Sequence, residues 1–430
     1  MSRRLAAILS LVWLLAMNLH PAQSQEPVTL TFATGHPEWF APAIERYRAA
    51  HPDVMVRLLP LALGSTDQLA LYGQALEAQS PLIDLIDVEI TWPGVLAPHL
   101  ADLNALLGAD AIGAHFPALV EEYTVEGRLV ALPYQIDAGA LYYRPDLLAR
   151  YGYAAPPATW DELTEMARTL QEGERAAGNP NFWGYVWQGE RYETLVCNAL
   201  EWHGSLVDGD GRLRVNTDAT RAALRRAALW PGTISPPAVT AYIEEDSRTL
   251  WLTGNVAFMR NWTFAARAAA NFAFDVAPLP AGDAGTSGGC LRGWALAVSR
   301  HTRHPDAAAA LAAFLAGEDE QRRRALESSV NPTLTALYSD PDVLSAMPGL
   351  ADLEPVFAKA RARPARVAGP AYDRLSAAYA AAVHRVLTGE ADPADALEQA
   401  ARELAALLPS PAPDVSPTDR PTLSPRRRER

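Results

Sequence analysis

The sequence predicts a two-lobed α/β protein, and three observations lead there. Its 430 residues are enough for two or three domain-sized units. With 49% hydrophobic and 20% charged residues it is a globular chain with ample core, not a disordered one. Strand-like and helix-like patterns alternate along most of its length, as in a sheet covered by helices.

The first hundred residues set the pattern. Thr29–Thr34 reads as a strand, and Phe40–Ala50 as a helix with Phe40, Ile44 and Tyr47 on one face. Val54–Pro60 is the next strand. Asp67–Gln79 is helical, with Leu69, Tyr72 and Leu76 at helical spacing. Leu82–Glu89 is a strand that places Asp87 and Glu89 on one face, because side chains alternate. In the middle, Thr159-Trp-Asp-Glu162 is a capping box opening a helix to about Glu174. A strand at Asn181–Trp187 follows, then helices at Tyr192–Trp202 and Thr217–Leu229. A helix ends at Gly254-Asn255 before the strand Val256–Asn261, and Phe274–Leu279 and Trp294–Ser299 are further strands. Beyond them the pattern is helical: Ala307–Ala316, Val343–Met347, Pro355–Arg361, Tyr372–Leu387 and Pro393–Leu408. No repeat of 20–50 residues is present. Strands are expected to cross between lobes near Tyr134–Ala138 and Thr286–Arg292. Ligands in such sheets bind outside the carboxyl ends of strands, so the cleft between lobes should collect residues far apart in sequence.

Composition excludes several chemistries. Of 37 basic residues only Lys359 is a lysine, and it sits in Phe-Ala-Lys-Ala, without the preceding glycine of a phosphate-binding loop. Kinase-type and Schiff-base lysines are excluded on the same ground. A formal charge of −13 argues against a nucleic-acid binder, which needs a basic face. No zinc spacing or C-x-x-C occurs, and His301 and His304 read as a turn before a helix, so no metal or cofactor is expected. Cys197 and Cys290 fall in different expected lobes, which favours thiols over a bridge.

The N-terminus reads as a secretory signal peptide over residues 1–24: Arg3-Arg4, an apolar run of about 15 residues, and a small-residue site ending Ala22-Gln23-Ser24. The run is shorter than the ~20 residues that span a bilayer, and no lipobox cysteine follows it. The expected location is the periplasm. Cleavage would remove two arginines and take the charge to −15. Residues 409–430, rich in Pro, Ser, Asp and Arg, read as a disordered tail.

Eleven tryptophans is a high count, and Trp262 and Trp294 stand at strand ends beside polar or glycine residues. Carbohydrate sites need flat aromatic faces for the apolar side of a pyranose and carboxylates for its hydroxyls. The carboxylates at element ends are Glu38, Asp87, Glu89 and Asp137.

Four segments carry a resemblance. They are Leu132-Pro-Tyr-Gln-Ile-Asp-Ala-Gly-Ala-Leu-Tyr-Tyr-Arg-Pro-Asp146, the pair Tyr151-Gly-Tyr and Pro157-Ala-Thr-Trp-Asp-Glu-Leu163, the tract Asn179–Cys197, and Gly254-Asn-Val-Ala-Phe-Met-Arg-Asn-Trp262. Together, across residues 28–408, the chain resembles the trehalose/maltose-binding proteins of ABC importers, which are extracellular solute-binding proteins. The resemblance implies a type II periplasmic-binding-protein fold with a hinge and a helical C-terminal region. The expected parts are a first lobe of 25–135 and 289–332 and a second of 136–288 and 333–408. It implies a monomeric receptor that captures an α-linked disaccharide of the trehalose or maltose type in the cleft between lobes and hands it to the permease transmembrane subunits. Its sugar-binding positions correspond to Glu38, Glu89, Gln135, Asp137, Trp262, Gly293, Trp294 and Arg363, with Tyr372 in the following loop. The Gly293-Trp294 pair is expected as a turn. Departures are Glu89 for an aspartate, Gln135 for an aromatic, Gln68-Leu69-Ala70 for a pair of arginines after a glutamine, and Arg292 for a glycine, and they point to a shifted sugar preference. The rivals are a secreted glycosidase using paired carboxylates and a receptor of the same fold for a non-sugar solute such as an amine.

Overall fold

The computed structural model describes residues 27–406 apart from 62–64, 209–211, 268–269, 284, 286–287, 329 and 348. The expected signal peptide and C-terminal tail lie outside the described residues. Strands of three or more residues are, in chain order, β1 (Val28–Thr34), β2 (Val54–Pro60), β3 (Leu85–Glu89), β4 (Leu132–Tyr143), β5 (Trp183–Val186), β6 (Val256–Trp262), β7 (Asp275–Ala277) and β8 (Leu291–Val298). Among the described residues no helix is long and apolar enough to cross a membrane.

The chain forms two compact units. Among the described residues the first comprises 27–149, 260–279 and 288–366, and the second 150–259, 280–287 and 367–406. In the first unit the strands run β2-β1-β3-β8-β4, with β7 beside β4. β1 pairs in parallel with β2 and β3, whereas β8 is antiparallel to both β3 and β4. Helix Pro37–Ala50 packs Phe40, Ala43, Ile44 and Tyr47 inward, the face its spacing predicts.

The units divide at other residues than the sequence suggested. β4 is one continuous 12-residue strand, and its pairing with β8 and β7 keeps residues 136–149 in the first unit. Residues 333–366 join it too, because the Arg361 backbone bonds to the start of β8: Leu291 N donates to Arg361 O at 2.7 Å and Arg361 N to Gly289 O at 2.9 Å. At that junction a Cβ on Gly289 would lie 1.9 Å from the Gly139 carbonyl oxygen, so the close backbone approach needs glycine.

Three local expectations change. β3 begins at Leu85, leaving Leu82 70% exposed in the preceding turn. Helix Glu318–Ser328 was not predicted; its run of Glu, Asp and Arg gives little apolar periodicity, and tertiary contacts hold it, Arg46 donating from Nε to the buried Glu320 at 2.7 Å. The third concerns Gly293-Trp294, which lies within β8 rather than in a turn.

The second unit pairs β5 and β6 in parallel and covers them with helices. Helix Trp160–Ala176 starts at the Thr159 N-cap, whose hydroxyl accepts from Glu162 N at 3.2 Å; the expected capping box is incomplete, because Glu162 Oε2 accepts from Ala158 N at 2.7 Å, one residue before the cap, and not from Thr159 N. Its core holds Trp160, Trp187, Trp202 and Trp230 around Tyr185, with neighbouring ring centres 5.1–6.2 Å apart. All four tryptophans are fully buried. These four rings fill a core and offer no sugar-binding face.

Candidate functional site

Strand parity builds the site. In β8, Arg292 and Trp294 share one face. Trp294 lies between Glu89 of β3 on one side and Gln135 of β4 on the other, and Arg292 lies opposite Asp137. One face of three adjacent strands in the first unit thus carries Glu89, Asp137, Arg292, Gln135 and Trp294, with Asp87 two residues before Glu89 on the same face. Between Arg292 and Trp294, Gly293 keeps β8 close to its neighbours. A Cβ there would come within 3.1 Å of Gln135 O and 3.2 Å of Leu119 Cδ2.

Arg363 comes to this face from the segment after helix Leu350–Lys359. Its Nη2 donates to Glu89 Oε1 in a buried ion pair. The other Glu89 oxygen accepts from Thr91 N at 2.8 Å and from the Thr91 hydroxyl. Asp137 Oδ1 accepts from the Thr263 hydroxyl, from Phe264 N at 3.1 Å and from Asn331 Nδ2 at 3.5 Å. Asn331 also donates to Thr263 Oγ1 at 2.9 Å. Trp262 sits one residue before Thr263, at the end of β6, with its carbonyl accepting from Tyr142 OH at 2.7 Å. The Arg260 guanidinium carbon lies 4.3 Å from the Trp262 ring centre and that of Arg292 5.5 Å.

Rings continue from Trp294. It meets Trp92 edge-on at 5.5 Å and His36 edge-on at 5.4 Å, and His36 stacks on Trp39 at 3.9 Å. Burial holds the His36 pKa down, with the Glu38 carboxylate acting against it. Trp262 is 2% and Trp294 4% exposed, whereas Trp39 is 39% exposed.

The first unit therefore brings together Glu89, Gln135, Asp137, Trp262, Gly293, Trp294 and Arg363. Glu38 lies in the exposed first turn of helix Pro37–Ala50, 4.0 Å from His36 Nδ1. Tyr372 belongs to the second unit, where it is buried and donates to Glu193, so its hydroxyl ties helix Tyr372–Leu387 to helix Glu193–His203. Asp87 is fully buried and held by Thr34 Oγ1 at 2.7 Å and by Tyr72 OH; burial pushes its pKa up. It shares the face of Glu89, two residues earlier in β3, but its oxygens are taken up by Thr34 and Tyr72. Gln68, the glutamine that precedes Leu69-Ala70 where a pair of arginines was expected, packs its amide on Gly35, where a Cβ would lie 2.0 Å from its Nε2.

Sequence reasoning left out His36, Trp39, Trp92, Thr263 and Asn331. Trp39 was accessible to it, because the helical period that turns Phe40 inward turns its neighbour out. Thr263 and Asn331 carried no local signal. Among the described residues no cluster of three or more His, Cys, Asp or Glu could hold a metal ion. A cavity of about 590 Å³ in the second unit, lined by Glu190, Arg191, His384 and Arg385 among others, has no tryptophan, tyrosine or phenylalanine in its wall.

Comparison with known proteins adds relatives to this geometry. Residues 33–322 match the family described as bacterial extracellular solute-binding protein. The chain is 45% identical over 361 residues to a probable ABC transporter-binding protein of Deinococcus radiodurans, covering 81% of this chain and 86% of that one. Among solved structures it is similar to maltose-bound MalE3 of T. maritima, at 34% identity and a TM-score of 0.78 over 89% of this chain and all of the other. The GacH receptor of Streptomyces glaucescens shares the fold at 24% identity, with a TM-score of 0.74 over 89% of this chain and 99% of that one.

Proposed function

The chain belongs to the bacterial extracellular solute-binding proteins and has their two-lobed periplasmic-binding-protein fold, and from that premise we propose that it is the sugar receptor of an ABC importer, binding an α-linked disaccharide of the maltose or trehalose type. One observation carries the sugar: on a single sheet face, Glu89, Asp137 and Arg363 stand among the indoles of Trp262, Trp294 and Trp92. Carboxylates and a guanidinium accept from and donate to hydroxyls, and a mismatched epimer leaves one of these buried groups unpaired. Indoles bind the apolar face of the ring at little entropic cost. The maltose held by the T. maritima relative supports an α-glucoside, and the description of the Deinococcus relative supports permease subunits as partners. The near-complete burial of Trp262 and Trp294 means that side chains over them must part to admit a solute. Capture by hinge closure is part of the proposal on the strength of the family alone.

A glycosidase is disfavoured by chemistry. It needs one carboxyl kept protonated within reach of the substrate. The carboxyl of this group that burial pushes upward, Asp87, is closed off by its bonds from Thr34 and Tyr72. Both oxygens of Glu89 are engaged.

Calorimetric titration with maltose, trehalose, lactose and mannitol tests the reading. Saturable binding of an α-linked disaccharide without release of glucose is expected, and preference for a β-linked disaccharide or a polyol would remove the finer assignment. Trp262→Ala is expected to weaken that binding by about 1–3 kcal/mol. An unchanged affinity would take Trp262 out of the site.

A further inference from the structure

Arg292 is the charged side chain of this face that the fold leaves unengaged. It is half-buried, stands opposite Asp137, and holds its guanidinium carbon 5.5 Å from the Trp262 ring centre. Among the described residues it has no hydrogen-bond or ion-pair partner. Its charged neighbours are committed elsewhere: Glu89 to Arg363 and Thr91, and Asp137 to Thr263, Phe264 N and Asn331. One row along the sheet, Gln135 has a buried Oε1 without a partner.

A guanidinium carries five N–H donors in a rigid fork. Partial removal from water without an anion costs free energy, and a bidentate carboxylate or phosphate restores what is lost. Trp262 beside it provides an apolar ring face, so a solute that offers both a pyranose and an anion matches the pair better than a neutral sugar does.

We propose that Arg292 is a specificity-determining residue that binds an anionic group on the sugar, so that the preferred solute is an acidic saccharide. This rests on the sugar reading of the site. The pyranose lies against Trp262, Arg292 takes its carboxylate or phosphate through paired N–H donors, and Gln135 Oε1 accepts from a hydroxyl of the same solute.

The test is calorimetric titration of the full chain with trehalose, maltose, digalacturonate and trehalose 6-phosphate, repeated on Arg292→Gly and Arg292→Lys. At least one anionic saccharide is expected to bind about tenfold or more tighter than the neutral disaccharides, as befits hydrogen bonds to a charged group. Arg292→Gly should erase that preference and Arg292→Lys keep part of it, since lysine retains the charge without the fork. Digalacturonate against trehalose 6-phosphate tells carboxylate from phosphate. Tighter binding of a neutral disaccharide, or an anion preference that survives in Arg292→Gly, overturns the role of Arg292 and leaves the sugar reading standing. Failure of all four saccharides to bind the unaltered chain overturns both.

Discussion

Arg363→Ala is expected to lower the unfolding free energy by about 3–5 kcal/mol and to abolish sugar binding. The pair it forms with Glu89 is buried on both sides, with side chains 3% and 8% exposed. Truncating the arginine leaves a carboxylate in the sheet with only the Thr91 donors, and an uncompensated buried charge costs far more than an exposed ion pair contributes. The double variant Glu89→Gln/Arg363→Met should recover most of the stability without recovering binding, because it removes the stranded charge along with the donors a sugar needs. Urea denaturation of the three proteins without ligand, followed by calorimetry, checks both halves. A loss below about 1 kcal/mol in Arg363→Ala would mean that the pair behaves as a surface contact.

Trp294→Ala is expected to cost about 3–5 kcal/mol of stability, within the range for large aromatics removed from a core. The indole is 4% exposed, lies between Glu89 and Gln135 in the ladder, and touches Trp92 and His36 edge-on. Its loss opens a cavity beside the Glu89–Arg363 pair, so sugar affinity should fall with stability. Trp294→Phe should keep more of the stability than of the affinity, because a phenyl ring fills much of the volume with a smaller stacking face. Thermal unfolding and calorimetry on both variants separate the packing from the binding contribution. Equal affinity in Trp294→Phe and the unaltered chain would assign the indole to packing alone.

The route from sequence to site was uneven. Parity within a strand correctly put Asp87 and Glu89 on one face, yet the two carboxylates have different lives. Asp87 is sealed by Thr34 and Tyr72, whereas Glu89 takes Arg363. Nothing in the alternation Leu-Ile-Asp-Val-Glu distinguishes them, because depth in the sheet depends on what covers each end. Tyr372 shows the converse. Its position in a loop before a long helix fitted a sugar contact, but its hydroxyl is taken by Glu193, 179 residues away in sequence. Tryptophan count alone also misled, since four of the rings form the core of the second unit.

Most of the helix and strand order, the N-cap at Thr159, the inward face of Phe40, Ile44 and Tyr47, and the pairing of charge with aromatics were determined by the sequence itself. They depend on periods of two and about 3.6 residues and on contacts within a few positions. Tertiary structure decided the site. Insertion of β8 between β3 and β4 sets Trp294 beside Glu89 and Arg292 beside Asp137, and the return of the chain at Arg361 brings Arg363 to a carboxylate 274 residues earlier. Such meetings follow from strand order and chain path, and these are chosen by burial of the whole sheet rather than by any local pattern.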